Sequence, residues 1–382
     1  MNTTIYDVAI IGSGPSGATA AFELSKNGIS VVIIEKETLP RYKPCGGGIV
    51  FRGRQLLPFD ITPAVDLEFY EVDTYFLKDN IKLTTKRDRP IITMVMRDAF
   101  DNLMVEKALQ NGVTILQGHT VKNISFGEVQ LIHTSEGTIT SKFIIAADGA
   151  LSPVAKLAGW KETRRIVPAL EYEVYVQEDD LKRLSKSVRF DIDAIPQGYG
   201  WCFPKKGHLS IGVVSLAKKK TRINLKTFYK SYLKTLEINE VIKEDEHGYV
   251  IPVSPRKDTF TNKNVFLTGD AAGFADPVVA EGISNSIRSG ILAAQAIIEA
   301  ELDFDRAAKL YAQKLDESIL VEIKTGAFFS DFLYEREAAR NFTVKKKGQY
   351  LAEYLTDIFT GDKNYPKDTG AKLWRKVREK LF

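Results

Sequence analysis

The chain has 382 residues, 44% of them hydrophobic and 27% charged, with a net charge of +4. That length suits two domains or one elaborated domain, the composition excludes a disordered chain, and the charge is too small to argue for nucleic acid. Two cysteines, Cys45 and Cys202, cannot build a disulfide framework or a four-ligand zinc site, and no apolar stretch approaches the ~18 residues of a membrane span.

The elements follow from pattern. Residues 5–11 form a β-rich apolar run, 16–27 are helix-compatible, and 29–35 are a second apolar run, together a βαβ unit. Residues 36–60 are loop, punctuated by proline and glycine. From about 65 to 96, segments such as YEVDTYFL and IITMVM alternate as antiparallel strands do. A helix is predicted over 97–110, then a strand (VTILQG), a hairpin-like segment over 121–145, and a buried strand ending in Asp148-Gly149. Between 161 and 260 the alternation (EYEVYVQ, SVRFDIDA, LSIGVVS) predicts a mostly antiparallel sheet, interrupted by a lysine-rich helix over about 221–243. A short buried strand at 264–267, a helix over 281–300 and a helical last eighty residues complete the chain.

Gly12-Ser13-Gly14-Pro15-Ser16-Gly17 stands between the first strand and helix, with Glu35 ending the next strand. Gly12 permits the tight turn, Gly14 lets backbone approach a pyrophosphate, and Gly17 lets helix pack close to strand. The helix start supplies unpaired N–H groups, and Glu35 is placed to accept from a ribose 2′-hydroxyl. Downstream, Gly269-Asp270 leads through small residues and a proline into a helix starting near Glu281-Gly282. Asp270 is placed to accept from ribityl hydroxyls, which FAD has and NAD lacks, and the helix dipole to face the flavin N1/C2=O edge. With the Asp148-Gly149 turn between them, the three motifs point to FAD.

Two segments carry the remaining chemistry. In 41–50, RYKPCGGGIV, three adjacent glycines leave backbone bare for something flat to lie against. In 196–204, PQGYGWCFP, a strand puts Tyr199, Trp201 and Phe203 on one face and Gly198, Gly200 and Cys202 on the other. The aromatic row is either an ordinary core stripe or a flat apolar wall.

With GSGPSG, RYKPCGGGI, Arg97 and FDNLMVEKALQNGV, DGALSPVAK with TGDAAGFADP, and PQGYGWCFP in hand, the chain resembles FAD-dependent oxidoreductases of the p-hydroxybenzoate hydroxylase fold, and within them the geranylgeranyl reductase family. PQGYGWCFP reproduces that family's Pro-x-x-Tyr-x-Trp-x-Phe-Pro pattern, and the resemblance spans about residues 5–300. It implies an α/β fold: a Rossmann-like FAD-binding domain (1–60, 90–160 and 261–300), an inserted, mostly antiparallel β substrate domain (61–89 and 161–260), and a helical C-terminal region (301–382). Cofactor contacts are implied at Gly12, Gly14, Pro15, Ser16, Gly17, Glu35, Lys36, Arg41, Cys45, Gly46, Gly47, Arg97, Val121, Asp148, Gly149, Gly269, Asp270, Gly282 and Ile283. Substrate contacts are implied at Gly47, Gly48, Tyr199, Trp201 and Phe203. Cys45 is either a proton donor or, having no basic partner visible in the sequence, an inert thiol beside the flavin.

The implied reaction is saturation of carbon–carbon double bonds in an isoprenoid or prenylated lipid by hydride from reduced FAD, with no metal. With only one dinucleotide fingerprint, electrons come from NADPH at an external site or from a reduced ferredoxin-type protein. A halogenase is disfavoured because only Trp201 stands where a Trp-x-Trp-x-Ile-Pro motif is expected. A flavin-dependent hydroxylase and a non-catalytic flavin-binding protein remain as alternatives. A cytoplasmic protein is expected. The terminal stretch AKLWRKVREKLF, with Leu373, Val377 and Leu381 at helical spacing among lysines and arginines, suits either an anionic membrane face or a helix docked on its own domain.

Overall fold

The computed structural model describes residues 4–218 and 223–366. The β-rich run Ile5–Ile11 pairs in parallel with Val31–Ile34 on one side and Thr138–Ala146 on the other. Parallel pairing with Thr114–Leu116 and Val265–Leu267 extends this sheet at its two sides. Strands covered by helices on both faces are buried, as VVII is throughout and IYDVAII is from Val8 on, which is why they read as apolar runs. Val8, Ile33, Ile144 and Phe266 lie fully inside. Helix Pro15–Lys26 crosses helix Ile283–Glu299 so closely that a β-carbon at Gly290 would lie 2.2 Å from the Ser16 carbonyl oxygen. The segment read as one hairpin is a three-strand meander, Val121–Ser125, Gln130–Thr134 and Thr138–Ala146.

A second sheet has seven strands in the order Val241–Pro252, Ile166–Val176, His208–Ser215, Gly198–Lys205, Val188–Ile192, Glu71–Phe76 and Ile81–Lys86. All its pairings are antiparallel except that of Val188–Ile192 with Glu71–Phe76. One correction falls here: the lysine-rich helix stops at Thr235, and residues from Val241 form a strand paired along nearly all of Ile166–Val176. Long-range pairing outweighs the helix propensity of its Lys and Glu residues. A small sheet of Gly48–Val50, Ile92–Val95 and Val65–Phe69 joins the two larger ones.

The seven-stranded sheet buries one face under helix Leu225–Thr235, with Leu170, Tyr172, Val174, Cys202, Tyr229 and Tyr232 between them. Its other face meets loop 41–48 and the C-terminal helices Val321–Ser330 and Glu337–Thr360. No helix among the described residues is long and apolar enough to cross a membrane. The basic terminal stretch with Leu373, Val377 and Leu381 lies outside the described residues.

Candidate cofactor and substrate site

At the carboxyl end of the parallel sheet, Gly12 takes φ +100°, and a β-carbon there would sit 2.5 Å from the Ala147 carbonyl oxygen. Gly14 caps helix Pro15–Lys26 with no side-chain cap and no acid in the first turn, so the leading N–H groups keep their positive field. Only Arg41 Nη2, at 3.9 Å, comes near the space before Gly14. Glu35 is 3% exposed and accepts from the Ser13 N–H (2.9 Å), the Ser13 hydroxyl (2.6 Å) and the Glu37 N–H (3.1 Å). Burial raises its pKa, but these bonds and Arg41 outweigh that and hold it below the usual range. The 2′-hydroxyl acceptor inferred from spacing thus also holds the turn itself. Lys36 is largely exposed and pairs with Glu37. Val121 opens its strand two residues beyond His119, whose N–H bonds the Glu35 carbonyl.

Arg41 bridges two acids, its Nη1 3.2 Å from Asp101 and its Nε 3.8 Å from Glu35. That Nη1 is buried and makes no hydrogen bond, a donor available to an anion at the helix start. Arg97, first in helix Arg97–Leu109, binds Asp101 through both Nε and Nη2 and lies beside the Cys45 side chain. Burial disfavours its charge, but Asp101 more than compensates, so it stays protonated. The cysteine without a visible basic partner therefore has a basic neighbour, brought from fifty residues away.

Asp148 accepts from the Ser152 hydroxyl (2.7 Å) and the Val154 N–H (2.9 Å), and burial still pushes its carboxyl up to about 6. Gly149, at φ +80°, has no atom within 4 Å of its missing β-carbon. Gly269 (φ +52°) packs against Ser16 and Ser286. Asp270 is shifted upward by burial, opposed by Lys43, Arg97 and Arg164, and its carboxylate accepts no hydrogen bond among the described residues. Its Oδ1 lies 3.2 Å from where a Gly282 β-carbon would stand, next to Ile283 at the helix start. Glu281 takes the Ser284 N–H there, leaving the other leading N–H groups free for an incoming acceptor. Two buried arginines missed from the sequence clamp this turn: Arg164 to the carbonyls of Ala150 and Asp270, and Arg256 to that of Ala271. An Asp270 whose carboxylate accepts no hydrogen bond among the described residues, an Arg41 Nη1 that makes none, and bare Gly14 and Gly149 fit a ligand with phosphates and hydroxyls.

Loop 45–48 lies on the aromatic strand. A β-carbon at Gly46 would be 2.9 Å from Phe203 and 3.3 Å from Trp201 Nε1. Gly47 has φ +66°, and a β-carbon there would stand 2.1 Å from the Val95 carbonyl oxygen, while Gly48 pairs with Met94. On one side their bareness serves contact with the protein's own rings and backbone. Trp201 in turn lies over Gly212, whose β-carbon would meet its ring at 2.1 Å.

The sheet's register lays out one continuous surface. Tyr199, Trp201, Phe203 and Lys205 stand beside Val214, Gly212, Ser210 and His208, and these beside Ala169, Glu171, Glu173 and Tyr175. On the other flank, Phe190 and Ile192 lead to Thr74, Phe76 and Leu83. There an apolar cavity of about 110 Å³ opens between the sheet and the C-terminal helices, lined by Tyr199, Phe190, Leu83, Phe329, Tyr334 and Phe359 among others. Tyr199 lines it, whereas Trp201 and Phe203 face the loop. The helices 321–360, unassigned from sequence, supply much of its wall. Arg340, 1% exposed, fastens them by a bidentate bond to Asp193.

Residues 5–303 match the family model described as FAD binding domain. The chain is 28% identical over 374 residues to a chloroplastic geranylgeranyl diphosphate reductase of Arabidopsis thaliana (91% of this chain, 79% of that protein). It is 26% identical to digeranylgeranylglycerophospholipid reductase 3 of Methanosphaera stadtmanae (94% and 92%). A solved geranylgeranyl bacteriochlorophyll reductase-like protein of Thermoplasma acidophilum superposes with a TM-score of 0.76 at 24% identity, covering 89% of this chain and 91% of that one, a likeness of fold. The chain belongs to the FAD-binding-domain family of flavoprotein oxidoreductases, and the curated relatives it resembles over most of its length include geranylgeranyl reductases.

Proposed function

We propose that the protein saturates carbon–carbon double bonds of an isoprenoid chain, using FAD as its redox group. The observation that carries this reading is the single sheet face that runs from loop 45–48, over Trp201 and Phe203, to Tyr199 and the apolar cavity. A flavin-side loop and a slot for hydrocarbon share one wall. FAD would be held by the N-terminus of helix Pro15–Lys26, Glu35, Arg41, Arg97, Asp148, Asp270 and the start of helix Ile283–Glu299, and when reduced it supplies the hydride.

The chain's own residues do the rest. An isolated alkene offers no carbonyl to polarise, so orientation and exclusion of water dominate. Tyr199, Phe190, Tyr334 and Phe359 provide the dry wall for the chain. Beside the cavity a groove lined by Lys345, Lys346, Lys347 and Leu83 suits the anionic head of a prenyl phosphate or lipid. Arg97 lies beside Cys45, next to the bare backbone.

The test is anaerobic incubation of dithionite-reduced protein with geranylgeranyl diphosphate and, separately, with a geranylgeranylated lipid. Products gaining hydrogen in two-atom steps support the reading, and the preferred head identifies the substrate class. Replacing dithionite by NADPH or a reduced ferredoxin identifies the donor. Hydroxylated product or hydrogen peroxide in aerobic turnover replaces this reading with a hydroxylase. Stoichiometric FAD with no prenyl-dependent reoxidation replaces it with a flavin-binding protein.

A further inference from the structure

Under loop 45–48 the sheet face changes from aromatic to acidic. Glu171 and Glu173, both 5% exposed, share that face with Trp201 and Phe203, separated from them only by Gly212 and Ser210. The Ser210 hydroxyl, 2.5 Å from Oε1, holds the Glu171 carboxyl, and the Cys45 backbone lies close enough to favour its ionised form. Trp201 Nε1 in turn approaches Ser210 Oγ at 3.4 Å. Glu171 is thus tied through Ser210 to the aromatic wall, beside the glycine loop. Nothing in the fold requires an acid there, since a carboxyl without an ion-pair partner is costly to bury.

Resting on the reductase reading above, we propose that Glu171 is the proton donor of the reaction: its carboxyl O–H breaks as a C–H bond forms on the second alkene carbon. The balance closes with a two-electron reductant. Hydride from the reduced flavin forms the C–H bond at the first carbon, and the alkene's π pair takes the proton. Glu171 is left as carboxylate and regains a proton from water. Glu173 leads outward, accepting from the Tyr42 hydroxyl (3.2 Å), with His208 Nε2 2.7 Å from its other oxygen. Tyr42 is 42% exposed.

The surroundings suit such a donor. From its own strand Glu171 faces Glu173, which His208 reaches, from the adjacent strand its cross-strand neighbour His247, from the strand two over Lys205, and from the loop Tyr42 and Cys45. Burial, then the charge of Glu173, push its carboxyl up to about 7, against Ser210, Lys205 and Cys45. At neutral pH it both holds and releases a proton. Lys205, 2% exposed and donating to the Val95 carbonyl at 2.9 Å, is a positioning residue that keeps loop and sheet together.

E171Q keeps the shape and an acceptor oxygen for Ser210 while removing the acidic proton. Two measurements test it. Infrared difference spectra of the FAD-loaded protein, without substrate and with carbon-13-labelled glutamate, should show a protonated carboxyl that titrates near pH 7 and is lost in E171Q. In single turnover with geranylgeranyl diphosphate, E171Q should saturate the alkene on the order of a hundredfold or more slowly. Its flavin should be reoxidised by an artificial acceptor at the wild-type rate. The wild-type rate should fall above about pH 7, E171Q should lose that limb, and E171D should restore part of it. If wild type saturates the alkene and E171Q does so equally fast with the same pH profile, or if the carboxyl band survives in E171Q, the donor assignment is overturned while the reductase reading stands. If wild type holds FAD and reduces no prenyl alkene, the reductase reading fails and this assignment falls with it.

Discussion

The two neighbouring glycines of loop 45–48 should respond differently to the same added methyl group. At Gly47 an alanine must adopt φ +66°, which costs roughly 1–2 kcal/mol for a residue with a β-carbon. That carbon would also stand 2.1 Å from the Val95 carbonyl oxygen, a backbone atom fixed in the small sheet. Close to 1 Å of main-chain displacement is needed, adding about 1–3 kcal/mol by analogy with overpacked cores. The total is about 2–5 kcal/mol, applied to the strand pairing that positions Cys45. At Gly46 the conflict is with the Phe203 ring at 2.9 Å, a side chain with room to shift by tenths of an ångström, and the cost is about 1 kcal/mol. Urea unfolding followed by flavin fluorescence should therefore rank Gly47→Ala well below Gly46→Ala in stability and FAD retention. Adding Phe203→Ala should rescue Gly46→Ala and not Gly47→Ala. Equal, mild effects at both positions, or rescue of both, would refute the packing of this loop on the aromatic strand.

Four further outcomes are expected. Glu35→Gln weakens its charge-assisted bonds to Ser13 and Glu37, each worth ~1.5–3 kcal/mol, and should lower FAD affinity at least tenfold in a fluorescence titration. Arg340→Met leaves Asp193 buried without its partner at a cost of ~3–5 kcal/mol; limited proteolysis should then cut within 321–360 while the FAD domain persists. Leu83→Trp fills the cavity wall, so anaerobic assays should show loss of activity on a twenty-carbon chain with a shorter prenyl chain spared and FAD content unchanged. The raised Glu171 pKa makes the folded state bind more protons than the unfolded chain between about pH 4.5 and 7. Stability should therefore fall as pH rises through that window, and E171Q should flatten this part of a denaturation series.

Local signals sufficed for the dinucleotide turn. Gly12, Gly14, Gly17 and Glu35 lie within one βαβ unit, where spacing along the chain sets distance in space, and the structure brings the turn and the acid together. The facing of Tyr199, Trp201 and Phe203 was equally legible, because side chains alternate along any strand. What stands next to those side chains was not. Cys45 meets Arg97, Trp201 lies over Gly212 towards Glu171, and helices 321–360 roof the cavity only because sheet register and long-range packing bring distant segments into contact. The end of the lysine-rich helix was misplaced for the same reason: residues 241–243 join a strand because a long partner strand supplies their backbone hydrogen bonds.

By itself, then, the order of residues determined where phosphate-cradling backbone and a one-sided aromatic row would arise, because both depend on neighbours only a few positions apart. Tertiary structure alone decided which acid, base and apolar roof those features face. Such contacts arise between segments far apart along the chain, and no local period encodes their pairing.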